Sequence, residues 1–197
     1  MPELLLPLLT FCFSTSITPG PNVIMVTASG ATYGFRPTLP HLLGISLGFP
    51  VMVLAIGLGL GAVFQTLPVL HDGLKVAGSA YLLYLAWRIA TAARPKPGVP
   101  GGRPLTFLQA AAFQWVNPKA WVIAVGAVSA FSTLELSPLA NATMIAVVFG
   151  AMAFPCSAVW AGFGTAIGRL LTSDRALRVF NLTMGALTAL SVVLIFV

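Results

Sequence analysis

Long apolar runs alternate with short stretches that hold most of the charge, and this divides the chain into six segments. They cover residues 4–31, 39–65, 73–93, 106–131, 138–167 and 176–197. A helix needs about 20 residues to cross a hydrocarbon core. The pattern therefore predicts six membrane-spanning helices joined by five short connections. The longest connection, 94–105, is rich in Pro, Gly and basic residues and reads as a flexible linker between halves.

Composition removes the alternative of a water-soluble bundle. Of 197 residues, 58% are hydrophobic and 7% charged, with mean hydropathy +0.97. A soluble domain carries roughly 25% charged residues. The expected fold is an all-α integral membrane domain, with nothing left over for a soluble one. The first apolar run exceeds signal-peptide length, and the only early charge is Glu3. An uncleaved, membrane-resident chain is expected.

The net charge of +6 would fit a nucleic-acid partner only if the basic residues formed a stripe. They lie in the connections, which is an orientation signal. Eight of the ten basic residues belong to the first, third and fifth connections: Arg36; Arg88, Arg94, Lys96 and Arg103; Arg169, Arg175 and Arg178. The opposite side holds Lys75 alone, and Lys119 falls inside the fourth segment. The positive-inside rule then predicts cytoplasmic odd connections and two extracytoplasmic termini. Trp87 beside Arg88 fits the cytoplasmic interface of the third span. Cys12 and Cys156 both lie in apolar runs, with neither metal-ligand spacing nor a disulfide framework. No metal or cofactor is expected.

The two halves, 1–93 and 106–197, resemble each other. Phe49-Pro50 recurs as Phe154-Pro155 and Gly57-Leu58-Gly59 as Gly162-Phe163-Gly164, both at an offset of 105. Leu74-Lys75-Val76 matches Leu177-Arg178-Val179 at offset 103, and Pro21 matches Pro118 at offset 97. Any one match is ordinary in a chain rich in Gly, Pro and Leu; ordered matches at similar offsets point to a repeat. Three spans are an odd number of crossings, so the second copy enters the membrane inverted. Inverted repeats are the usual architecture of secondary transporters, with substrate near the midplane.

Two spans carry breaks. The first holds Thr18-Pro19-Gly20-Pro21-Asn22 midway, where two prolines around a glycine free the turn. A helix restarting with Pro21 at its first position accounts for the excess length of this segment. The fourth holds Asn117-Pro118-Lys119, an N-cap followed by a favoured first residue. Each restart aims N–H groups and the positive end of a helix dipole inward, which suits a carboxylate. Two simple proline kinks would account for the same residues. Lys119, costly inside a span, either holds a substrate carboxylate, changes protonation during the cycle, or binds carbonyls freed at a break. Pro50 and Pro155 are hinge candidates or fixed kinks. Gln114 and Asn181 line a cavity or bond a neighbouring helix. Gly44/Gly48 and Gly164/Gly168 fit close helix packing. Glu3, Asp72, Glu135 and Asp174 all lie near segment ends, so carboxylate-based ion coupling has no evident carrier.

Thr18-Pro19-Gly20-Pro21-Asn22, Gly34-Phe35-Arg36 and Asn117-Pro118-Lys119 together resemble the LysE/RhtB family of bacterial amino-acid exporters, and the resemblance runs the whole length. Ser46-Leu47-Gly48-Phe49, Tyr84–Thr91 and Phe113-Gln114-Trp115-Val116-Asn117 look closest to its cysteine/O-acetylserine branch. Where many members carry Pro-Gln-Phe after the fourth-span motif, this chain has Ser129-Ala130-Phe131. The resemblance implies a non-enzymatic inner-membrane exporter of small amino acids or derivatives, driven by the proton gradient and compatible with a homodimer. It also implies that Pro19, Gly20, Pro21, Asn22, Asn117, Pro118 and Lys119 shape the transport site. Two other readings compete: a thiol or electron carrier using Cys12 and Cys156, and a non-transporting membrane enzyme or subunit. The cysteines are not repeat partners, and no catalytic set supports the latter.

Overall fold

The computed structural model describes residues 2–60, 68–95, 102–133 and 135–193. Lys96, the end of the second predicted span and the last four residues lie outside the described residues. Eight α-helices follow one another, and no strand occurs among the described residues. They are α1 (Pro2–Ile17), α2 (Pro21–Tyr33), α3 (Phe35–Ala55), α4 (Pro68–Ala90), α5 (Phe107–Phe113), α6 (Pro118–Phe131), α7 (Pro138–Leu170) and α8 (Asp174–Leu190). A single π turn, Ile56–Leu60, extends α3, and a 3-10 turn, Gln114–Val116, links α5 to α6.

The helix starts follow local chemistry. Thr106 and Gln109 form a reciprocal capping box at α5. Ser137 caps α7 with Pro138 in its first turn, and Ser173 caps α8. Gly34 alone separates α2 from α3, and its φ of 88° is the left-handed backbone that favours glycine. Because one residue makes this turn, α3 begins at Phe35, four residues before the predicted span.

The helices are unequal in length and polarity. Phe35–Leu60 and Pro138–Leu170 are long and apolar enough to cross a membrane by themselves. The pair α1 and α2, bent by 55°, makes a third such unit. The fourth predicted span is divided into pieces of seven and 14 residues. Charge shortens the apolar stretch of the third, since α4 contains Asp72, Lys75 and Arg88, and of the sixth, since α8 opens on Asp174, Arg175 and Arg178. At 1.5 Å per residue, the 33 residues of α7 extend about 50 Å, beyond the about 30 Å of a hydrocarbon core.

Small residues set the packing. Gly164 lies so close to α2 that an added Cβ would stand 2.1 Å from the Thr27 carbonyl oxygen, and Gly168 meets Ala31 in the same way. Gly44 and Gly48 bring α3 equally close to α5, at Phe107 and Ala111. Helices α3 and α7 meet at Gly150 and Pro50; Phe49 and Phe149 stack edge to face there at 4.9 Å. One buried cluster includes Leu8, Met52, Ala124, Ile145 and Phe149; a second includes Met25, Leu42, Leu82 and Phe113. Leu43, Leu47 and Val51 on α3 and Val147 and Val159 on α7 face outward, an apolar exterior suited to lipid.

The odd connections meet at one end. Arg88 Nη2 donates to the Arg103 carbonyl at 2.8 Å. Arg94 Nη2 donates to the Gly168 carbonyl at 2.9 Å and also to that of Leu171. Asn181 Nδ2 donates to the Ala92 carbonyl at 3.0 Å and pairs with Thr32. The predicted repeat positions agree unevenly in conformation. Pro21 and Pro118 each open a helix, and Pro50 and Pro155 each lie within an uninterrupted one. Gly57–Gly59 belongs to the π turn, with Gly59 at φ 111°, whereas Gly162–Gly164 is regular α-helix.

Candidate functional site

The two breaks predicted from sequence face each other. α1 ends at Ile17, three residues follow with Gly20 extended, and α2 restarts at Pro21. The first intrahelical bond of α2 runs from Ile24 N–H to the Gly20 carbonyl at 3.0 Å. The N–H groups of Asn22 and Val23 precede it, and no side chain caps this end. At the second break the N-terminus of α6 is closed: the Asn117 side chain accepts from Lys119 N–H at 3.2 Å. The two restarts are thus alike in their prolines and unlike in their caps.

Lys119 reaches across to the opposite break. Its Nζ donates to the Thr18 carbonyl at 2.6 Å and to the Pro19 carbonyl at 3.3 Å. These carbonyls belong to the three residues between α1 and α2 and lie outside the ladder of either helix. A third, that of Ile17, accepts from Trp160 Nε1 on α7 at 2.9 Å. Gly20 makes room for the lysine; a Cβ there would stand 2.7 Å from Lys119 Cδ. A second bridge joins the breaks. Asn22 Nδ2 donates to Gln114 Oε1 at 2.8 Å, and Gln114 Nε2 returns to Asn22 Oδ1 at 3.3 Å. Gln114 is fully buried and Asn117 nearly so. Both have partners, as buried amides require.

These groups border one cavity of about 520 Å³, counting the part that opens outward. Gly20, Asn22, Gln114, Asn117 and Lys119 lie on its wall. Pro19 contributes its carbonyl to Lys119, and Pro21 and Pro118 act through the backbone by opening α2 and α6. Pro50 and Pro155 do not line it. Asn181 does not reach this site; it bonds Thr32 and Ala92 at the end where the odd connections meet. Cys12 and Cys156 are free, buried and absent from the cavity wall.

The wall also contains residues that sequence reasoning did not assign to a site: Thr15, Ser16, Phe49, Phe149 and Ser157. Adjacency to the first break was an available signal for Thr15 and Ser16. Ser157 gave none, because nothing in the sequence distinguishes it from Thr143 and Thr165, the other hydroxyls of this 33-residue apolar helix. Chemically, the wall offers a cation, a helix N-terminus whose first N–H groups have no side-chain cap, three amides and hydroxyls beside two aromatic rings. That set fits a small zwitterion with a short apolar body.

The model of the LysE type translocator family matches residues 13–196. The cysteine/O-acetylserine efflux protein of Escherichia coli (strain K12) is 33% identical over 199 residues, covering 99% of this chain and 98% of that protein. Its counterpart from Shigella sonnei (strain Ss046) gives the same values. The protein of the same name from Escherichia coli O139:H28 is 34% identical over 173 residues, 86% of each chain. No solved structure matches the chain significantly.

Proposed function

Because the chain belongs to the LysE type translocator family, we propose that it exports a small neutral amino acid or derivative, such as cysteine or O-acetylserine, across the bacterial inner membrane. The observation that carries this reading is the convergence of the two helix breaks on one polar cavity, with Lys119 bridging them. The substrate carboxylate binds the Lys119 ammonium and the first N–H groups of α2. To do so it takes the lysine from the Thr18 and Pro19 carbonyls. Gln114 and Asn22 orient the ligand from the side, and Phe49 and Phe149 bound its apolar part.

Transport follows by alternating access between two inverted repeats, 1–93 and 106–197, of three spans each, with Pro50 and Pro155 as hinges. Both termini are extracytoplasmic, and the proton gradient drives the cycle. The names of the similar proteins support efflux, and the shared opening prolines of α2 and α6 support the repeat. Exchange in proteoliposomes tests the reading. Purified protein is expected to exchange labelled O-acetylserine or cysteine with an unlabelled pool. Lys119→Ala is expected to lower exchange at least tenfold, about the effect of losing one charge-assisted hydrogen bond. Lys119→Ala exchanging at the unaltered rate would remove the lysine from the site, and no exchange across a panel of amino acids would sink the function.

A further inference from the structure

A second cavity, of about 430 Å³ counting the part that opens outward, lies at the end of the molecule where the basic connections meet. It shares no lining residue with the cavity at the breaks, although α2 and α3 border both. Its polar wall is formed by His41, Ser29, Thr32, Tyr33, Asn181, Arg88 and Arg103. Most of these are already engaged. Ser29 and Thr38 share a hydrogen bond at 2.8 Å, and Thr32 pairs with Asn181.

His41 stands apart by its burial without a partner. It is 1% exposed, and neither ring nitrogen has a hydrogen-bond partner among the described residues. A buried imidazole without a partner is costly, and it is unusual enough to require a ligand or a role. Arg88 is half-buried; its one hydrogen bond found among the described residues goes to the Arg103 carbonyl. A guanidinium has five N–H donors, so most of its capacity is uncommitted there. No carboxylate lines this cavity among the described residues. The rest of its wall is mainly apolar, with Met25 and Leu85 among the residues that close it.

We propose that this cavity is a second binding site, separate from the helix breaks, for the carboxylate of a small molecule arriving from the end that carries the basic connections. Arg88 binds the carboxylate, and the imidazole N–H of His41 completes its hydrogen bonding from the buried side. The carboxylate comes either from the exported amino acid on its way to the breaks or from a small organic acid that is not transported. The site itself does not depend on the export reading.

The chain has two histidines, which makes the test direct. The full-length protein, labelled with 15N-histidine, is placed in neutral phosphatidylcholine nanodiscs and titrated with O-acetylserine and, separately, with propionate. His41→Gln identifies the His41 signal by its loss. The His41 signal is expected to shift saturably in the wild type and in Lys119→Ala, and Arg88→Gln is expected to weaken the response at least tenfold. A shift with O-acetylserine alone assigns the site to the amino acid; a shift with propionate assigns it to carboxylates generally. A wild-type signal that neither compound moves overturns the second site. So does an Arg88→Gln chain that elutes as folded protein and responds like the wild type. Either failure leaves exchange at the breaks untouched, and failed exchange in liposomes leaves this titration untouched.

Discussion

Lys119 shows how a charge is tolerated inside an apolar bundle. An ammonium at the centre of a span costs about 2.5–3.5 kcal/mol on insertion scales, and the Thr18 and Pro19 carbonyls lie outside any helical ladder. Bringing the two together satisfies both. The breaks were legible because proline acts locally: Pro21 and Pro118 open helices where the sequence places them. The partners were not, since nothing local tells Asn22 that Gln114, 92 residues on, will face it. Gly20 gives a prediction at this scale. Its backbone is extended, so alanine causes no strain there, but the new methyl group falls 2.7 Å from Lys119 Cδ. The lysine is flexible and gives way. Gly20→Ala is expected to raise the apparent KM for exchange several-fold while the melting temperature in detergent stays put. An unchanged KM would mean that the position of Lys119 does not matter to binding.

Between helices, glycine carries the packing. Spacing alone marked Gly44/Gly48 and Gly164/Gly168 as small faces, but did not say what lies against them. In a soluble helix one apolar stripe names the buried side. Here lipid and core are both apolar, so hydrophobicity does not separate them, and the pairing of α2 with α7 and α3 with α5 could not be read. The structure makes the difference measurable. A Cβ at Gly164 would meet the Thr27 carbonyl at 2.1 Å, a rigid backbone atom, whereas at Gly162, one turn's fraction away, it would meet nothing within 4 Å. Gly164→Val is expected to force α2 from α7 and to lower yield and melting temperature sharply. Gly162→Ala is expected to be neutral or to stabilise by up to about 1 kcal/mol through helix propensity. Equal stability of the two variants, by thermal unfolding in detergent, would contradict the close contact.

For the whole molecule, composition made the lipid environment and the all-helical class legible, because no arrangement of so few charges covers a water-facing surface. The inequality of the spans was less so. Hydropathy sees one apolar run in 106–131 and is blind to the capped restart at Asn117 that divides it. Orientation is the part that charge predicts and that labelling can decide. Thr172 and Glu135 are exposed at opposite ends of α7, an unbroken helix of about 50 Å by its rise per residue, so they must face opposite sides if α7 spans. The two native cysteines are buried and away from the cavity, and Cys12→Ser with Cys156→Ser is expected to leave exchange intact. Lost exchange in that background would restore the thiol-carrier reading. Within it, Glu135→Cys is expected to react with an impermeant maleimide on intact cells, and Thr172→Cys only after the membrane is opened. The reverse pattern would turn the positive-inside orientation over and place the Arg88 cavity on the outer face. Labelling of both from one side would remove α7 as a span, and with it the inverted repeat.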